Sequence, residues 1–156
     1  MIESYKQAIE EFKRVEHLFH VSLKYTRTVD VIKSVMERMI ATFEQSIDSL
    51  LKCLKEEKKI IDIPTNPIGK AMLIKEQDPT PEIVSKIDMY LKLRRMVKLE
   101  YTKREEFRRH VTMTVNLDGE KVDIDIDKLE EYYNETRLFL IYTKNKVSPY
   151  HNGNDD

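Results

Sequence analysis

From Val29 to about Lys58 the chain carries an apolar stripe that keeps helical spacing without a break: Val29, Ile32, Met36, Met39, Ile40, Phe43, Ile47, Leu50, Leu51 and Leu54. Asp30, Ser34, Glu37, Arg38, Gln45, Asp48, Lys52 and Glu56 fall on the opposite side. Residues three and four apart share one face of an α-helix, so the pattern predicts a single long amphipathic helix. At about 1.5 Å per residue it would run roughly 45 Å, and each large side chain it buries contributes about 1.5–3 kcal/mol before ordering costs. A stripe that long needs cover along its whole length. The chain must therefore lay other long helices beside it, which restricts the fold to a helical bundle. The methionines in the stripe fit such a core, where they fill gaps between helices.

Two stretches can supply that cover. Ile2 to about Tyr25 repeats the helical spacing through Ile2, Tyr5, Ile9, Phe12, Phe19 and Leu23, with Ala8 and Val15 beside them. Thr26 to Thr28 either interrupts this helix or is crossed by it. The second is Glu82 to Val111, read as one long helix opened by Thr80 as N-cap and Pro81 at the first position. Ile83, Ile87, Tyr90, Leu91, Leu93, Val97 and Tyr101 form its apolar face. Arg94 and Arg104 fall within that face, where long stems are expected to pack while the guanidinium groups reach a rim.

The remaining segments complete a mostly helical design. Asn66-Pro67 marks the start of a short helix, about Ile68 to Glu76, that ends at the turn Gln77-Asp78-Pro79. After Val111 the period changes to two: Val122, Ile124 and Ile126 alternate with Asp123, Asp125 and Asp127. With Asp118-Gly119 as turn, this predicts a β-hairpin. Asp127 and Glu130 resemble a capping box that opens a last helix running to about Lys144. The expected fold is all-α: a helical bundle of about four to five helices with a small β-hairpin before the last one. It forms a single domain over residues 1–146, with 147–156 as a flexible tail.

Composition excludes several functions. The net charge of −1 rules out overall attraction to nucleic acid or acidic membrane, so any such binding needs a local patch. The lone Cys53 has no partner for an internal disulfide, and no signal-like or bilayer-length apolar segment is present; a cytoplasmic protein without membrane contact is expected. Asp123-x-Asp125-x-Asp127 fails as a calcium loop, because Lys128 and Asn134 stand where glycine and glutamate are needed. His17 and His20 lack a carboxylate at metal-site spacing. With no phosphate-cradling glycine loop, nucleophile elbow or zinc spacing, neither metal nor cofactor is expected.

One cluster remains. Lys92, Arg94, Arg95, Lys98, Lys103, Arg104, Arg108 and Arg109 are opposed nearby only by Glu100, Glu105 and Glu106. Such a patch could neutralise RNA phosphates, with Tyr90, Tyr101 or Phe107 available to stack on bases. It could equally pair with the acidic run that follows it, Asp118 to Glu135.

Within this cluster, Arg104-Glu-Glu-Phe-Arg-Arg-His110 resembles the Arg-x(4–6)-His motif of the HEPN superfamily, a group of small and often dimeric helical bundles. The resemblance implies a metal-independent endoribonuclease in which Arg104 and His110 act on the RNA backbone across a homodimer cleft. Arg94, Arg95, Lys98, Arg108 and Arg109 would then hold the nucleic acid. On a straight helix Arg104 and His110 would stand about 9 Å apart along the axis and roughly 120° apart around it, so convergence requires a helix end near His110 or a second subunit. The competing expectation is a non-enzymatic helical interaction module that forms a homodimer through its broad apolar faces.

Overall fold

A computed structural model describes residues 1–151 of the chain. Helix α1 (Ile2–His17) continues through a π turn (Leu18–Ser22) into the short α2 (Leu23–Tyr25), so the first helix runs through to Tyr25 with a change of pitch. Thr28 then caps α3 (Val29–Glu56) by accepting from the Val31 amide at 3.3 Å. The other helices are α4 (Pro67–Gln77), α5 (Pro81–Met96) and α6 (Ile126–Val147), with a 3-10 turn over Ser148–Tyr150. Three strands, β1 (Tyr101–Arg104), β2 (Thr112–Leu117) and β3 (Glu120–Ile124), form an antiparallel sheet in the order β1-β2-β3. No helix among the described residues is long and apolar enough to cross a membrane.

The long stripe is the hub of the molecule. Helix α3 packs against α1, α4, α5, α6 and β2, and its residues from Val29 to Leu51 on the apolar side are buried. Because elements enclose it from several sides, Val35, Thr42, Ser46 and Ser49 are buried too. An aromatic stack fastens the helices: Phe43 of α3 lies 4.7 Å from Phe139 of α6 and 5.5 Å from Tyr90 of α5. The apolar faces of α1 and α3 are turned into this single-chain core.

The π turn has a packing reason. Tyr133 of α6 is stacked between Phe12 and Phe19, at 5.4 and 5.2 Å, and His20 meets its edge at 5.3 Å. A local change of pitch lets Phe19 and His20 both reach the same ring. His20 thus serves packing, and its Nε2 lies 3.4 Å from the Tyr133 hydroxyl.

The main departure from the sequence reading concerns Glu82 to Val111, which is not one helix. Helix α5 stops at Met96, and Tyr101–Arg104 pairs as a strand with Thr112–Val115. Tyr101 and Thr102 favour the pleated conformation, and pairing places Met113 and Val115 over the core, fully buried. The expected hairpin is therefore a three-stranded sheet, whose second turn is the anticipated Asp118-Gly119 with φ of 55° and 84°, as a tight hairpin turn requires. The last helix is capped by Asp125, which accepts from the Lys128 amide at 2.8 Å, two residues before the expected Asp127. Helix α6 also reaches further than expected, burying Val147, and Tyr150 donates to Glu57 at 2.8 Å. Of the expected tail, residues 152–156 lie outside the described residues.

Candidate functional site

The break at Met96 splits the predicted cationic residues into two groups. Arg94, Arg95 and Lys98 sit at the end of α5, while Arg104, Arg108, Arg109 and His110 sit on β1 and in the loop that follows it.

In the first group, Arg94 donates through its guanidinium to the Glu44 carboxylate of α3, which also accepts from the Tyr90 hydroxyl at 2.9 Å. The Arg94 guanidinium carbon lies 5.9 Å from the centre of the Tyr90 ring. An arginine inside an apolar sector therefore stays because it has a partner and an aromatic face beside it. Burial, then the neighbouring Glu44 charge, pushes the Tyr90 hydroxyl far above the usual tyrosine range. Arg95 donates to Asp118 of the β2–β3 turn at 2.5 Å, and this bond holds the Asp118 carboxyl below its ordinary range. Lys98 is exposed and has no carboxylate at ion-pair distance among the described residues. These three side chains join Ile68 of α4 and Leu91 of α5 around a shallow groove of about 260 Å³.

The second group lies on the outer face of the sheet. Arg104 reaches across β2 to Asp123 of β3 at 3.1 Å, and Thr114 between them donates to the same carboxylate at 2.7 Å. The Thr114 hydrogen bond, with help from the Arg104 charge, keeps the Asp123 carboxyl below its usual range. Lys103 points to the inner side and pairs with Asp30 at 3.3 Å. The β1–β2 loop is stapled to the start of α3: Glu106 accepts from the Val29 amide at 2.9 Å, and the Phe107 amide donates to the Arg27 carbonyl at 2.6 Å. Glu106 thereby supplies a carboxylate where the helix end is electropositive. Holding this shape places Glu105 and Phe107 in left-handed backbone, at φ of 56° and 65°. That conformation costs a non-glycine residue roughly 1–2 kcal/mol. The strained Phe107 is 74% exposed. Arg108 pairs with Glu105 at 3.6 Å, and the exposed His110 gives its carbonyl to the Thr112 hydroxyl at 2.8 Å.

The structure thus brings Arg104, Arg108, Arg109 and His110 onto one strand and one loop, and engages Arg104 with a carboxylate of the same chain. It keeps Arg94, Arg95 and Lys98 in the separate α4–α5 groove. A further cavity of about 310 Å³, among Leu54, Ile74, Asp78 and Tyr142, contains none of the predicted residues. Among the described residues no three His, Cys, Asp or Glu side chains are placed to hold a metal ion.

Sequence reasoning did not find Glu44, Asp30 or Thr114 as partners, nor Ile68 and Leu91 as groove residues. The anomalous Arg94 did signal a hidden carboxylate, but not which one. Helix α4 carried its own signal: Ala71 and Ile74 are buried while Ile68 and Met72 face outward, so it is apolar on both sides. Comparison with known families, curated sequences and solved structures returns no match to this chain.

Proposed function

We propose that the chain is a non-enzymatic helical interaction module. The observation that carries this reading is that five of the eight cations in the cluster, Arg94, Arg95, Lys103, Arg104 and Arg108, each meet a carboxylate of the same chain. A nuclease needs its cations directed at phosphate, and RNA affinity comes from cations that exchange counterions for phosphates. Cations committed to Glu44, Asp118, Asp30, Asp123 and Glu105 are poorly disposed for either. What the surface offers instead is large apolar side chains in defined places: Ile68 and Met72 on α4, and Phe107 on its stapled loop.

A second reading, the HEPN-like ribonuclease, draws support from one loop. Exposed Phe107, Arg108 and Arg109 adjoin His110 there, an arrangement that could stack on a base and contact its phosphate. The two readings separate in one experiment, incubation of a mixed RNA pool with the protein in EDTA, alongside an Arg104→Ala/His110→Ala double variant. The module reading expects no cleavage by either protein. Metal-independent cleavage by the wild type that disappears in the folded double variant would replace it with the nuclease.

A further inference from the structure

Helix α4 is the element whose sequence and surroundings disagree. A short helix lying over α3 and α5 needs one apolar face, which Ala71 and Ile74 supply. Yet Ile68 and Met72, four residues apart and so on one outward face, are 59% and 49% exposed. Single exposed apolar residues need no explanation, but Ile68 lines a concavity and Met72 follows it on the same face. Ile68 forms one wall of the α4–α5 groove and Leu91 another, while Arg94, Arg95 and Lys98 line the rest. The two helices form a hairpin, tied by Lys75 to Asp88 at 2.6 Å, so the groove runs between fixed walls. Two of its cations are also fixed in place, Arg94 by Glu44 and Arg95 by Asp118.

We propose that this groove is the docking site for an acidic amphipathic helix of a partner protein, an assignment that rests on reading the chain as an interaction module. The occupant's chemistry follows from the lining. An aliphatic floor accepts the apolar side chains that a helix presents at i, i+3, i+4 and i+7. The rim then selects the flanks: among the described residues Lys98 has no carboxylate at ion-pair distance, and Arg95 has further donors beyond its bond to Asp118. Carboxylates beside the apolar stripe of the incoming helix satisfy both. Met72 extends the contact along α4 with an adaptable side chain suited to such surfaces.

The same features argue against the other occupants. A second copy of this groove would set Lys98 against Lys98, with no carboxylate in either lining to meet it. RNA stacks on aromatic rings, whereas Ile68 and Leu91 are aliphatic. An anionic membrane takes up broad apolar faces, whereas Ile68 and Leu91 are the two apolar side chains of this groove.

The test uses the full chain and fluorescence anisotropy. One labelled probe is an amphipathic helical peptide with leucines along one face and glutamates on its flanks; the control replaces every glutamate by lysine. The acidic peptide is expected to bind about tenfold or more tightly than the basic one. Its affinity should fall as salt rises, and should drop by about tenfold in Ile68→Glu and in Lys98→Glu. Both positions are exposed, and circular dichroism with urea unfolding confirms that the variants fold. Equal binding of the two peptides, no binding, or affinity unchanged in both variants would overturn the assignment. So would capture of phosphatidylglycerol vesicles or an RNA oligonucleotide in preference to the acidic peptide. A protein that cleaves no RNA yet ignores the acidic peptide loses this docking site alone, whereas one that cleaves RNA through Arg104 and His110 loses the module reading itself.

Discussion

The helical body and the β element use the same residue types to opposite ends. In the body, Phe139 is 1% exposed and stacks on Phe43. Arg94 lies between Glu44 and Tyr90, and the hydroxyls of Tyr90, Tyr133 and Tyr142 each donate to a carboxylate at the edge of the core. In the β element, Phe107 stands in solvent on strained backbone, and Arg104 and Arg108 form ion pairs that water reaches. The body is therefore fixed by burial, and its polar groups are tied down as a consequence of that burial. The sheet and its loop are fixed by the core beneath Met113, Val115 and Ile124 and by a few backbone hydrogen bonds, while their charges add little. Side chains in the body carry stability, and those displayed by the β element are free to do something else.

Deleting an aromatic ring on each side is the most direct way to break this comparison. Phe139→Ala is expected to cost about 3–5 kcal/mol, because the transfer energy is lost and the stack with Phe43 and Tyr142 leaves a void. Urea unfolding followed by circular dichroism reads this as a large drop in midpoint. A cost below about 1 kcal/mol would mean that the helices can close over the gap, and that burial does not fix the body as described.

How much of this was legible in the sequence depended on whether the signal was local. The α3 stripe was, because its apolar spacing holds across a helix of 28 residues and one register accounts for all of it. Asn66-Pro67 and Asp118-Gly119 were legible as well, since cap and turn chemistry involves neighbours in sequence. The end of α5 was not. Lys103-Arg-Glu-Glu-Phe-Arg-Arg109 is rich in good helix formers, and its charges continue the helical pattern. Pairing of Tyr101–Arg104 with a strand about ten residues on overrides that preference. The left-handed positions that would have marked a loop are occupied by Glu105 and Phe107, where glycine is the usual flag. The candidate site suffered in the same way. Arg94 stood out from its own helix, but Glu44 lies 50 residues away and nothing local links them.

The tyrosines sharpen the comparison through pH. Burial first, then the adjacent carboxylate, raises the hydroxyl pKa of Tyr90 and Tyr142 well above the tyrosine range and that of Tyr133 to about 12. For a group whose folded pKa is raised, the stabilisation is complete below the unfolded value and is lost as pH rises through the folded one. Stability from these groups should be level from neutral pH to about 10, then fall as the unfolded chain ionises first. Tyr90→Phe and Tyr142→Phe should each cost about 1–2 kcal/mol at neutral pH and flatten the alkaline decline. Urea midpoints measured between about pH 7 and 11 test both parts, and an unchanged alkaline slope in the two variants would show that other groups govern it.

At Phe107 the expected effect is smaller and its sign reverses. Glycine adopts left-handed backbone without strain, and the ring at this position gives up little burial. Phe107→Gly should therefore stabilise the protein by about 1 kcal/mol, although the same ring deletion is costly at Phe139. A loss would mean that the ring packs on the loop. A gain would identify Phe107 as a residue kept at some cost to stability, as expected of a side chain meant for a partner.

The smallest effect separates the two arginines that the sequence placed in one apolar sector. Arg104 and Asp123 are 54% and 44% exposed, so water and salt screen their attraction; Arg104→Ala should leave the urea midpoint unchanged in both low and high salt. Arg94 is 21% exposed, and Glu44, which it neutralises, also receives the Tyr90 hydroxyl. Arg94→Ala leaves Glu44, itself 37% exposed, with the Tyr90 hydroxyl alone, so it should cost about 1 kcal/mol and fall less in high salt than the Arg104 pair does. The ratio of the two costs matters more than either value. Equal costs, eroded equally by salt, would place both pairs on the surface and leave the Arg94 side of the docking groove as loose as the sheet face. A salt-resistant difference would place Arg94 with the body, a rigid wall against which a partner helix can bind without first ordering the side chain it meets.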